Sequence, residues 1–325
     1  MGVRLRILYA VMAVTTVFVV FELCLSIMNT WKTRGGELSD DFLCENNPEV
    51  MIVTSSQPHC ADADGNLVLL RSLKNKVDYA RLHGFQVLCP MENVDMNLTG
   101  NWNKIAVLRG AMRVHKAVKW FFWMDSDALI TDMLFEIPWN RYNGLDLVAM
   151  GNPKQVGHYL GLNAGVLLIR NSEWSLKLLD TLVEVQQQFK TNVTFQRAVR
   201  RMVANSPPWL GDQTAFAYLL AKSKKWRART GFEERYALNG FWKGTEWADP
   251  GKVRPKDAFP RDGRSPPFVT HFAGCSFCTG QQSAVLAECK EKFARAFFSA
   301  TNQVLAVHGV QHKGLTETME SVEIE

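Results

Sequence analysis

Trp120-Phe121-Phe122-Trp123-Met124-Asp125-Ser126-Asp127 is an apolar run that ends abruptly in two carboxylates. Consecutive large apolar residues without polar alternation predict a strand buried on both faces, as in a sheet covered by helices. The aromatic run therefore reads as core rather than as a sugar platform. The acids follow directly, so they fall beyond the strand's carboxyl end, where ligands bind in open α/β sheets. Spaced by two, Asp125 and Asp127 can converge on one side of an extended segment. Converging carboxylates suit a hard divalent cation, Mn²⁺ or Mg²⁺. Such an ion can clamp a diphosphate and neutralise it as it leaves. A solvated turn with capping carboxylates is the alternative reading of the triplet.

Outward from this strand the chain alternates strand-like and helix-like runs. Val50–Thr54, Phe85–Cys89, Leu145–Met150, Gly165–Ile169 and Phe268–His271 read as strands. Leu67–Leu82, stopped by Gly84, and Trp102–Val118 carry apolar residues at helical spacing. Ser172 can cap a helix to Phe189, Asp212 another to Lys222, and a long helical pattern covers Gln281–Val307. This alternation implies an α/β fold with a mainly parallel sheet flanked by helices. Arg197–Pro208 and Trp247–Pro267 read as long loops.

The amino-terminal segment stands apart. Leu5–Met28 is mainly apolar and carries no charge except Arg6 and Glu22, and as a helix it would be about 36 Å long, enough to span a bilayer with some tilt. No Ala-x-Ala site follows it, which favours a retained signal anchor over a cleaved peptide. Arg4 and Arg6 favour a cytoplasmic amino terminus. The expected organisation is a cytoplasmic tail (1–4), a transmembrane signal anchor (5–28), a polar stem (29–43) and a luminal body (44–325). Sequons at Asn97-Leu98-Thr99 and Asn192-Val193-Thr194 suit a lumen. So do the six cysteines outside the anchor, Cys44, Cys60, Cys89, Cys275, Cys278 and Cys289, which read as disulfide partners rather than as a zinc site with His271 or His312. The net charge of only +5 argues against a nucleic-acid-coating protein.

Two other chemistries place paired acids like these. Haloacid-dehalogenase-like phosphatases carry an Asp after a buried strand and a second Asp two residues on. They continue x-Thr or x-Val, where this chain has Ala128-Leu129, and Phe216 stands where their late Gly-Asp-x-x-x-Asp motif needs its second acid after Gly211-Asp212. Glycoside hydrolases need carboxylates on opposite sides of a sugar, which neighbours in one triplet do not supply.

Several segments together resemble glycosyltransferase family 34. They are Val53-Thr54-Ser55-Ser56-Gln57-Pro58, Lys74-Asn75-Lys76-Val77-Asp78-Tyr79, Phe122–Leu129, Leu162-Asn163-Ala164-Gly165, Arg170–Ser175, Val269–Cys275, Asn302–Leu305 and His312–Leu315. They run in colinear order over nearly the whole body. The resemblance implies a GT-A type, Rossmann-like nucleotide-sugar transferase fold behind a Golgi type II anchor. It also implies Mn²⁺, a nucleotide-sugar donor (UDP- or GDP-linked), a polysaccharide or glycan acceptor, and retention at the anomeric carbon. Association with related transferases at the Golgi membrane is a further implied partnership.

Carried over by position, Asp125, Ser126 and Asp127 meet metal and nucleotide, and His271 adds a metal ligand; a core histidine is its plainer reading. Thr54 and Ser55 would face the nucleoside. Lys104 would neutralise donor phosphate, or else be an ordinary helix lysine. Asn163, Ala164 and Gly165 would border the donor sugar, or form only a tight turn. Asp212-Gln213 resembles the pair beneath the anomeric carbon, against the simpler role of a helix cap. The chain departs from the plant pattern at Gly211, where an acid is common, and at Ser276, where a lysine is common. Xyl, Gal and Man all stay open as the donated sugar, and a non-catalytic, glycan-binding partner in a Golgi complex is the alternative function.

Overall fold

The computed structural model describes residues 49–244, 267–281 and 283–322. The expected tail, anchor and stem, together with Cys44, lie outside the described residues, as does nearly all of the 247–267 loop. Among the described residues no helix is long and apolar enough to cross a membrane.

In chain order the elements are β1 (Val50–Val53), α1 (Ala63–His83), β2 (Gln86–Leu88), α2 (Asn103–Val114), β3 (Trp120–Met124) and β4 (Ala128–Ile130). There follow β5 (Leu147–Gly151), β6 (Leu162–Arg170), α3 (Glu173–Thr191), α4 (Val193–Met202), α5 (Asp212–Lys222) and α6 (Lys224–Arg227). The last are β7 (Thr230–Glu233), β8 (Gly240–Phe241), β9 (Val269–His271), α7 (Ala284–Leu305), β10 (Val310–His312) and β11 (Met319–Ser321).

The main sheet has six strands in the order β2-β1-β3-β6-β5-β7. Pairings β1–β2, β1–β3 and β5–β7 are parallel, whereas β6 runs antiparallel to both β3 and β5. The sheet is thus mixed, with one reversed strand at its centre. β3 alternates between two cores, as a doubly covered strand must. Phe121 and Trp123 pack with Ile105, Leu108, Leu178 and Phe216 on the side of α2, α3 and α5. Trp120, Phe122 and Met124 pack with Tyr79, Val148, Leu168 and Phe268 on the other.

A second sheet of three strands, β4-β9-β8, branches from the first. The triplet Asp125-Ser126-Asp127 is the link by which the chain leaves β3 for β4. β4 pairs antiparallel with β9 in a register that sets Ala128 opposite His271.

Several elements differ from the sequence expectation. α1 starts upstream of Leu67 because the Asp62 carboxylate caps it, accepting from Gly65 N–H at 2.7 Å. It ends as expected at Gly84, whose φ of 67° suits a glycine. The first half of segment 197–208, expected as loop, belongs to α4, begun by Asn192 Oδ1 accepting from Phe195 N–H and anchored by buried Val199, and the remainder is loop. Asp212 does not cap α5; it is the helix's first residue, and its carboxylate turns to Lys104 instead. The cysteines form disulfides, Cys60–Cys278 and Cys275–Cys289, which leaves no zinc set among the described residues, and Cys89 is unpaired.

Candidate functional site

β3 delivers Asp125 to the edge of a cleft of about 470 Å³. Ser55, Lys104, Trp123, Asp125, Ser126 and Asp127 line one part of it, and Ser276–Thr279 another. The backbone fixes the triplet from both sides. Asp125 N–H donates to Gly165 O on β6 at 2.8 Å, and Asp127 O accepts from Phe272 N–H, just past β9, at 2.9 Å. The Trp123 indole N–H donates to Asp125 Oδ1 at 2.7 Å, so one aromatic of the core run also carries a polar role.

His271 enters through the β4–β9 register. Its Nε2 lies 3.1 Å from Asp127 Oδ1, and its Nδ1 lies 3.0 Å from Asn239 Oδ1. An amide oxygen accepts, so Nδ1 carries the proton and Nε2 faces the carboxylate. A lone pair and a carboxylate oxygen at that distance need a cation between them, a proton or a metal ion. Burial opposes a proton on His271, but the charge and hydrogen bond of Asp127 outweigh it and raise the pKa above the ordinary histidine value. Burial would likewise raise Asp127, and His271 outweighs it and lowers that carboxyl. One ligand atom from each of Asp125, Asp127 and His271 can be chosen so that all three lie within 4.8 Å of one another. Two carboxylates and an imidazole oriented by an outer amide fit Mn²⁺ by donor chemistry and by this convergence.

Lys104, on the first turn of α2, is no ordinary surface lysine. It is 4% exposed and spans two carboxylates, Asp125 Oδ1 at 3.1 Å and Asp212 Oδ2 at 2.8 Å. Burial works against its charge, but Asp125 and Asp212 together outweigh that cost and raise its pKa. Its ammonium also donates to Ala164 O at 2.8 Å. Gln213 joins the same point: Oε1 accepts from Ala164 N–H at 3.2 Å, and Nε2 donates to Tyr159 O at 2.9 Å.

The sequence candidates thus gather around two poles, the acid–histidine cluster and Lys104. Ala164 and Gly165 are buried at the start of β6 and act through their backbone. Asn163 Oδ1 accepts from Gly165 N–H at 2.8 Å. A Cβ on Gly165 would fall 2.7 Å from His271 Nδ1, so only glycine lets the histidine lie against β6. Ser55 faces the cleft and accepts at Oγ from Asn103 Nδ2 at 2.8 Å. Thr54 is buried, with Oγ1 unpartnered among the described residues.

Sequence reasoning missed Asn239, Asn103 and Lys76. Asn103 ties Ser55 to the 92–94 loop through Glu92 O and Val94 N–H. Lys76 is fully buried on α1 and donates to Ala128 O at 2.7 Å, directly behind the triplet. Beside it, Asn75 exchanges hydrogen bonds with both Ile130 N–H and Ile130 O of β4. The signal for these two was legible: Ser72, Asn75 and Lys76 are polar residues on the stripe that Val68 and Tyr79 mark as buried. Asn239 carries no such signal.

Residues 46–282 match the model of the galactosyl transferase GMA12/MNN10 family. The chain is 38% identical over 291 residues to xyloglucan 6-xylosyltransferase 4 of Arabidopsis thaliana, covering 88% of this chain and 56% of that protein. It is 38% identical over 300 residues to probable glycosyltransferase 5 of Oryza sativa subsp. japonica, covering 89% of this chain and 65% of that protein. It therefore spans less than two thirds of these relatives' length. A solved glycosyltransferase involved in the glycosylation of the major capsid of PBCV-1 aligns at 13% identity with a TM-score of 0.44, covering 75% of this chain and 98% of that one. With the family match extending over most of the body and taking in the whole acid–histidine cluster, the chain belongs to the galactosyl transferase GMA12/MNN10 family, glycosyltransferase family 34.

Proposed function

We propose that the chain is a retaining, Mn²⁺-dependent glycosyltransferase of GT-A type. It moves Xyl, Gal or Man from a nucleotide sugar to a polysaccharide or glycan acceptor. The observation that carries this reading is the convergence of Asp125, Asp127 and His271 beside the cleft, although His271 is 144 positions from Asp127 in sequence. Asp125, Asp127 and His271 Nε2 would hold the ion. When bound, Mn²⁺ supplies positive charge to the donor diphosphate and to the nucleotide as it leaves.

The chain's own residues prepare the rest. Lys104 keeps Asp125 and Asp212 paired and adds a fixed positive charge at the cleft. Asp212 is the nearby carboxylate outside the metal set, and with Gln213 it is assigned to the donor-sugar end, where positive charge develops at the anomeric carbon. Gln213 has its amide fixed at both ends, which orients the start of α5. The name of the Arabidopsis relative supports a xylosyl donor, and the family's description supports a galactosyl one.

The same reading includes a single-pass type II Golgi topology with the body in the lumen. The apolar 5–28 segment, the two disulfides and the exposed sequon residues Asn97 and Asn192 support it.

His271→Ala tests the metal assignment. Titration of Mn²⁺ by calorimetry should show affinity weakened on the order of tenfold or more. High Mn²⁺ should restore part of the turnover, because both carboxylates remain. An unchanged Mn²⁺ titration with only a lower melting temperature would make His271 a core histidine.

A further inference from the structure

The main sheet has a basic end. One row of paired residues crosses it, Gln86–Met51–Phe121–Ile169–Leu147–Thr230, at the amino ends of β1, β2, β3, β5 and β7 and the carboxyl end of β6. The chain enters β3 through Lys116 and Lys119, and enters β7 through Lys222, Lys224, Lys225, Arg227 and Arg229. Asp125 follows the other end of β3, so the acid–histidine cluster lies at the opposite end of the sheet, about 15 Å away.

The stretch 222–229 holds five cations and no acid. Over the wider stretch 186–232 there are nine basic residues and one acid, Asp212, which is buried. Lys116, Lys222, Lys224, Lys225 and Arg229 are exposed, and Arg227 is half-buried. Some of this charge is met locally, since Lys119 pairs with Glu49 and Arg229 with buried Asp146. Most is not. Lys222 donates to the Tyr218 hydroxyl at 2.8 Å, and Arg227 to Leu220 O at 3.1 Å and Ala221 O at 3.0 Å, neutral partners that leave both charges uncancelled. Among the described residues Lys116, Lys224 and Lys225 pair with no carboxylate. Glu173, at the start of α3, is an exposed acid bordering the same end, and the balance stays strongly positive. Val114, two residues before Lys116 and 73% exposed, adds an apolar side chain.

Clustered lysines with an exposed apolar residue have the chemistry of a surface that rests on anionic lipid headgroups. The place where the chain outside the described residues joins the body selects the same occupant. Residues 1–48 join it at Glu49, directly before β1, and Glu49 O accepts from Lys119 N–H at 2.7 Å at this basic end. The apolar segment 5–28 lies 20 residues upstream in sequence, a span of at most about 70 Å when extended. A body tethered within that reach needs little intrinsic affinity, because the tether sets a high local concentration.

We propose that the basic end of the sheet docks the body on an anionic phospholipid surface, with the cleft directed away from the bilayer. The proposal draws on the reading of 5–28 as a membrane anchor for proximity, and on neither the transferase reading nor the compartment. Each lysine held near such a surface strengthens association roughly fivefold, and salt screens the attraction.

The test uses the full chain in nanodiscs of phosphatidylcholine alone or with about 30% phosphatidylglycerol, read by amide hydrogen exchange. Exchange in 113–119 and 222–229 should slow about fivefold or more in the anionic discs, while Ser276–Thr279 at the cleft should exchange alike in both. About 0.5 M salt should abolish the difference. Lys222→Glu combined with Lys224→Glu and Lys225→Glu should also abolish it, with thermal unfolding unchanged. Equal exchange in the two lipids, or lipid-dependent slowing that persists in the triple variant, would overturn the docking face and leave its cations for an acidic protein partner. A chain that fails to enter the discs would sink the anchor reading instead. Flotation of that chain with anionic but not neutral vesicles would then sustain the face, and flotation with neither would overturn it.

Discussion

Among the described residues, Lys76 brings its ammonium into the fold with hydrogen bonds only to neutral oxygens, Ser72 Oγ at 2.6 Å, Ala128 O at 2.7 Å and, more weakly, Ser72 O at 3.4 Å. Burial lowers its pKa to about 8, against the pull of Cys89, Asp127 and Asp125. Between about pH 8 and the ordinary lysine value of 10.5 the unfolded chain holds this proton and the folded chain does not. Stability attributable to Lys76 should therefore rise with pH across that window, by up to ~3 kcal/mol. Lys76→Met, which keeps the apolar stem, should lack this rise in denaturant titrations taken from about pH 7 to 10.5. Parallel stability curves for the two proteins would contradict the assignment. The His271 pKa is shifted the other way, upward. Its raised pKa lets a proton compete with the ion above the usual histidine range, so Mn²⁺ affinity should fall as pH drops through it.

Strand β6 decides whether the cluster can form, since it brings Gly165 against His271 and Ala164 against Lys104 and Gln213. Gly165→Ala places a Cβ where the imidazole lies and should cost about 1–3 kcal/mol in chemical denaturation, with weaker Mn²⁺ binding. Wild-type values for both would mean that β6 and β9 have room to part. The strength of the sequence signal differed between elements for physical reasons. β1 and β3 were legible because continuous apolar runs have no other home, and α3 because Ser172 Oγ caps it, accepting from Ser175 N–H at 3.2 Å. The reversal of β6 was not legible, because strand direction is set by partners and a buried strand reads alike either way. β4 spans only Ala128–Ile130, too short for a period to show, yet its pairing with β9 is what carries His271 to Asp127. α4 went unread although Phe195, Val199 and Met202 recur at helical spacing, because half of its ten residues are polar and its start depends on one side-chain cap. Asp125, Asp127 and His271 were legible as types at strand ends. The bridging position of Lys104 was not, since Asp212 reaches it only through tertiary packing.

Across the whole molecule, two sheets meet at one three-residue link, and that link carries the acids. The same region is tied covalently, as Cys278 of the cleft wall joins Cys60 near the start of α1, and Cys275 joins Cys289 on α7. Helices, sheets and disulfides thus hold a cleft whose chemistry rests on a few charged side chains. Its most direct test is nucleotide release from a panel of UDP- and GDP-linked Xyl, Gal and Man donors, with and without Mn²⁺, by the wild-type chain and by Asp127→Asn. The substitution keeps the side-chain shape and removes one ligand charge. The expected result is Mn²⁺-dependent release from at least one donor, reduced on the order of a thousandfold in Asp127→Asn, a barrier change of about 4 kcal/mol, with thermal unfolding little changed. Absence of Mn²⁺-dependent release from every donor, or near-normal release by a folded Asp127→Asn, would contradict the metal-dependent transferase and leave a glycan-binding, non-catalytic chain in its place.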